Sequence, residues 1–73
     1  MRVYNDVCVF RCKGHVLRLV RWTRSTDERI FYRIKNGRVF SSPLVFGDYL
    51  MAVANYCAMI NDVIITEKER GEL

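Results

Sequence analysis

The side chains best equipped for chemistry in this chain are arginines. Nine of the twelve basic residues are Arg, and most lie in the N-terminal half. Residues 1–38 hold ten cations against Asp6, Asp27 and Glu28, a net of +7, whereas residues 39–73 hold Lys68 and Arg70 against five acids, a net of −3. A guanidinium presents a planar fork of donors that fits phosphate or carboxylate and also stacks on rings. Trp22, Phe31 and Phe40 are interleaved with these cations. Cations make the phosphate contacts that dominate nucleic-acid affinity, and rings give bases a stacking platform worth roughly 1–3 kcal/mol per base. Trp and Arg are also the favoured anchors of protein interfaces. The chemistry on offer is therefore recognition of an anionic partner.

Other chemistries lack parts. Cys8, Cys12, His15 and Cys57 invite a metal reading. On an extended strand, however, Cys8 and Cys12 lie about 13 Å apart at about 3.3 Å per residue. A tetrahedral zinc holds its sulfurs at about 2.3 Å. Cys12, His15 and Cys57 could converge but supply only three ligands, so small apolar cysteines are expected, with no metal and no cofactor. The acids are scattered, the one His stands beside a turn, and no Ser or Cys has an evident base. No Gly-rich phosphate cradle is present. A non-enzyme is expected.

The elements that must position the cations follow from the pattern. Seventy-three residues allow one small domain, and 51% hydrophobic content suffices for a core. The expected division is a single domain over 1–66 and a charged tail over 67–73. Three Cys and an N-terminus without a leader pattern suggest a reduced, cytoplasmic protein. No uninterrupted apolar run reaches the roughly 20 residues of a membrane span.

Residues 3–12 and 15–24 read as strands joined by a tight Lys13-Gly14 turn. Residues 29–35 read as a third strand, and Asn36-Gly37 is the strongest hairpin signal in the chain. A fourth strand begins at Val39 and is expected to end at Pro43. Residues 49–61 carry no charge, Pro or Gly and read as a helix capped by Asp48, with Leu50, Val53, Ala54, Cys57 and Ile60 as its core stripe. Val63-Ile64-Ile65-Thr66 is β-branched and is a candidate fifth strand. The fold class is thus α+β, a four-stranded antiparallel meander with one helix on one face.

The turns also set the register, because directly opposed residues share a face. They place Phe10 opposite Leu17, Cys8 opposite Leu19, Asp6 opposite Arg21, Trp22 opposite Phe31, Leu19 opposite Ile34, and Arg33 opposite Phe40. One face then holds Tyr4, Cys8, Phe10, Cys12, Leu17, Leu19, Ile30, Tyr32, Ile34 and Val39, with Asp6 and Arg21 as a pair; this is the expected core. The other holds Arg11, Arg18, Arg24, Arg29, Arg33, Lys35 and Arg38 around Trp22, Phe31 and Phe40.

The expected function is non-catalytic nucleic-acid binding, RNA before DNA, with little sequence preference. Arg18, Arg24, Arg29, Arg33, Lys35 and Arg38 would contact phosphates, and Trp22, Phe31 and Phe40 would stack on bases or buttress the guanidinium planes. The alternative is a small regulator or inhibitor, of the size a mobile element encodes, docking the same face on an acidic protein. The uncharged helix needs a second burial surface, so a homodimer through Met51, Ala52, Asn55, Tyr56 and Met59 is expected.

Overall fold

In the computed structural model of the chain, residues 3–23 and 28–71 are described, without the side chains of Val3 and of residues 40–46. The chain is α+β. Antiparallel strands β1 (Val3–Cys12), β2 (His15–Thr23) and β3 (Ile30–Asn36) form a continuous sheet, and one helix, α1 (Tyr49–Glu69), packs on one face of it. The segment β4 (Val39–Phe46) returns along the far edge of β3.

The first turn behaves as its sequence requires. Lys13 and Gly14 take positive φ values of 46° and 85°, the left-handed pair of a two-residue hairpin. Cys12 then faces His15, Phe10 faces Leu17, and Cys8 faces Leu19. Between Asp6 and Cys8 the register shifts, leaving Val7 as an extra residue. A one-residue shift sends every side chain beyond it to the other face. Asp6 therefore faces Val20 and Tyr4 faces Trp22, while Arg21 faces Asn5. The expected Asp6–Arg21 pair does not form, and Tyr4 leaves the core side.

β2 and β3 pair as the connection between them dictates, with Leu19 on Ile34, Arg21 on Tyr32, and Trp22 on Phe31. The last turn slides one residue from its expected place, to Gly37-Arg38, so Asn36 faces Val39 and Lys35 faces Phe40. An Asn-Gly turn of type I′ needs positive φ at both positions; here only Gly37 takes it, at 62°, and Asn36 is spared. β4 continues through Pro43 rather than ending there. Pro is tolerated because residues 41–44 fall in the register shift between Lys35↔Phe40 and Arg33↔Val45, on an edge strand.

The helix starts where expected. Asp48 Oδ1 accepts the backbone N–H groups of Leu50 at 2.9 Å and Met51 at 3.3 Å, which would otherwise lack partners. It does not stop at Asn61-Asp62. It continues through Val63–Thr66, which form no fifth strand, to Glu69. Tertiary packing outweighs the β-preference of Val63 and its neighbours, since Val63 packs against the core. Glu67, expected in a tail, is 1% exposed, with its Oε1 2.9 Å from His15 Nε2 and 3.6 Å from Arg70 Nη1. That cluster ties the C-terminal end of α1 to the first hairpin. By length and composition α1 is long and apolar enough to cross a membrane, which the shorter expected helix was not.

The buried core is Leu17, Leu19 and Ile34 from the sheet with Ala52 and Tyr56 from α1. Phe10, Tyr32, Val53, Met59, Ile60 and Val63 pack around it. The Tyr56 hydroxyl donates to the Leu17 carbonyl at 2.6 Å, and burial pushes its pKa above the ordinary tyrosine value. These contacts fix the rotation of α1. Its sheet-facing stripe is Ala52, Tyr56 and Glu67, all buried, with Met59 and Val63 half-buried between them, so the expected core members Leu50, Ala54 and Cys57 face outward. Cys8, Ile30 and Val39 are exposed as well, because one helix covers only the middle of the sheet.

Candidate functional site

The face turned away from α1 is built by alternation along three strands. β2 and β3 place Arg18 beside Lys35, Val20 beside Arg33, and Trp22 beside Phe31. β1 adds Arg11 beside Val16, Val9 beside Arg18, Asp6 beside Val20, and Tyr4 beside Trp22. Arg38 is exposed at the tip of the last hairpin, and Arg29 is exposed just before β3. Phe40 occupies the register position opposite Lys35. The Phe40 side chain and all of Arg24 lie outside the described residues. Of the nine expected contact residues, Arg18, Trp22, Phe31, Arg33 and Lys35 come together on one sheet face, with Arg38 at its rim.

Trp22 does not present the open ring expected of it. Its indole is stacked on Phe31 at a centroid distance of 4.7 Å and flanked by Tyr4 at 6.3 Å, and only 7% of the residue is exposed. With Val20, also buried, these rings form a small second core on the cationic face. The accessible ring of the row is Tyr4, 44% exposed, with Phe31 half-buried.

An open groove of about 610 Å³ runs along this face, lined by Tyr4, Asp6, Arg18, Val20, Lys35, Gly37 and Arg38. Three cations and one acid line it. Arg18 Nη1 donates to Asp6 Oδ2 at 2.6 Å, which holds the guanidinium at the groove wall. The arrangement offers an anion three cationic side chains and a phenol ring along one groove. Tyr4 and Asp6 were missed from the sequence because the bulge at Val7, which brings them here, has no local signature. The one warning was a charged pair, Asp6 with Arg21, assigned to an apolar face.

The expected dimer residues divide. Met51 is exposed and Asn55 half-buried, its Nδ2 donating to the Met51 carbonyl at 2.9 Å. Ala52 and Tyr56 belong to the core, and Met59 packs against it, so these three do not form an outer surface. Small Ala52 lets α1 approach the sheet, and Tyr56 is held by the Leu17 carbonyl.

Cys8, Cys12 and Cys57 are free thiols. Cys57 lies on the outward side of α1, away from the Cys12↔His15 pair, so the three candidate ligands do not converge. Among the described residues, no group of three or more His, Cys, Asp or Glu is placed to hold a metal. Comparison with known protein families, curated proteins and solved structures finds no match to this chain.

Proposed function

We propose that the protein binds single-stranded nucleic acid, RNA before DNA, along the groove on the sheet face opposite α1. The observation that carries this reading is the convergence of Arg18, Lys35 and Arg38 on an open groove that ends at an accessible tyrosine ring. Phosphates would lie against the three cations, with Arg11, Arg29 and Arg33 extending the positive field. A base would stack on Tyr4, with Phe31 beside it. Trp22 buttresses this row from behind rather than stacking on a base itself. In this reading β4 closes the face as the fourth strand of a meander and sets Phe40 beside Lys35. No helix is presented for reading base edges, so contacts go to backbone and ring faces and sequence preference is weak. The role is binding rather than catalysis, in a cytoplasmic setting.

The test is whether the protein purifies with nucleic acid, read from the 260/280 nm absorbance ratio before and after a high-salt wash. Co-purifying material released by salt and digested by ribonuclease supports the proposal. Clean protein at low salt that fails to shift a labelled single-stranded RNA refutes it. A complex with an acidic protein that persists in high salt would assign the face to the alternative, a small regulator or inhibitor.

A further inference from the structure

We propose that the outward stripe of α1 binds a second copy of this chain, forming a twofold antiparallel helix pair with Cys57 beside the axis. The proposal is independent of the sheet-face reading, because it rests on the opposite side of the molecule.

The monomer leaves apolar surface uncovered. Opposite its buried stripe, α1 exposes Leu50, Ala54, Cys57, Ala58, Asn61 and Ile65, and Leu50 is 76% exposed. No charged residue interrupts the helix from Tyr49 to Asn61. A solvated helix normally carries charged side chains on this side. The Cα radius of gyration is 13.5 Å, against about 11 Å for a compact domain of this length. One sheet and one helix have not closed a full core.

The stripe is complementary to itself when reversed. An antiparallel pair centred between residues 57 and 58 sets Leu50 opposite Ile65, Ala54 opposite Asn61, and Cys57 opposite Ala58 of the second copy. Large apolar groups then meet at both ends, while the small residues at the centre allow close approach of the two axes. The charges select the same direction. Asp48 caps the N-terminal end of α1, and Lys68 is exposed in its last turn. Reversal brings Lys68 of one copy beside the first turn and Asp48 of the other, and it opposes the helix dipoles. A parallel pair would set Lys68 beside Lys68 and Asp48 beside Asp48. Twofold symmetry closes the assembly at two copies.

The test uses the full chain. Sedimentation equilibrium at tens of micromolar should give twice the 8.6 kDa chain mass. Ala58→Glu should sediment as one copy with its circular dichroism unchanged, and Lys68→Glu should weaken the dimer several-fold at low salt. With Cys8→Ser and Cys12→Ser, a short bismaleimide should link two copies through Cys57, and Cys57→Ala should abolish the link. A mass of one copy for the unaltered chain would overturn the proposal. So would an Ala58→Glu dimer, or a dimer in which Cys57 is never linked. Flotation of the monomer with phosphatidylcholine–phosphatidylglycerol vesicles, abolished by Ala58→Glu, would assign the stripe to a bilayer and also overturn it.

Discussion

Replacing Lys35 and Arg38 together with Gln removes two of the three cations lining the groove and leaves Arg18 paired with Asp6. Lys35 alternates onto the sheet face opposite the Leu17–Leu19–Ile34 core and Arg38 is exposed at the hairpin tip, so the fold should persist by circular dichroism. Each phosphate contact on a single strand contributes a log–log salt slope of about −0.7, so three contacts give about −2 and a roughly 20-fold loss of affinity from about 50 to about 200 mM salt. The double variant keeps one such contact, and its slope should fall to about −0.7, an approximately threefold loss over the same range. The assay is anisotropy of a labelled single-stranded RNA titrated at a series of salt concentrations. An unchanged slope in the variant would show that these cations do not meet phosphate. A slope near zero in the unaltered protein would remove the electrostatic argument altogether.

Further outcomes can be checked by unfolding. Tyr56→Phe deletes the donor to the Leu17 carbonyl and should cost about 1–3 kcal/mol in urea denaturation. Because the folded tyrosine has its pKa raised above 10.0, the stability from its neutral hydroxyl is complete below pH 10.0 and is lost as pH rises through the raised value. The difference in stability between the unaltered chain and Tyr56→Phe should shrink along that alkaline limb. Asp48→Ala removes the acceptor for Leu50 and Met51 N–H and should cost about 1 kcal/mol in thermal unfolding. Deleting Val7 should close the bulge into a regular ladder and leave Tyr4 opposite Trp22 and Asp6 opposite Val20, so the fluorescence maximum of Trp22 should stay in place; a red shift would show that the bulge itself is needed to keep the indole covered.

What could be read from the sequence was whatever a turn or cap determines locally. Lys13-Gly14 fixed the register of Cys8, Phe10 and Cys12 against β2, and Asp48 marked the start of α1. The cation-bearing face followed from alternation along β2 and β3. Legibility ended where non-local packing chose between locally equivalent options. The bulge at Val7 exchanged Asp6 and Tyr4 between faces, and nothing in the run Asp6-Val7-Cys8 announces it. The final turn moved by one residue, from Asn36-Gly37 to Gly37-Arg38, with Gly37 alone at positive φ. The rotation of α1 could not be found from periodicity, because a helix apolar on all sides offers several stripes. Tyr56 and Glu67 decided it, through a carbonyl on β2 and a histidine beside a turn, both far away in the chain.

The two margins of the sheet share one property. β1 is interrupted between Asp6 and Cys8, and β4 breaks step between its partners Lys35 and Arg33 and contains Pro43. An unbroken outer strand would offer a template for accretion of further chains and growth into fibrils. Neither border here presents a long, regular ladder for such growth. Edge-to-edge pairing with further chains is thereby discouraged.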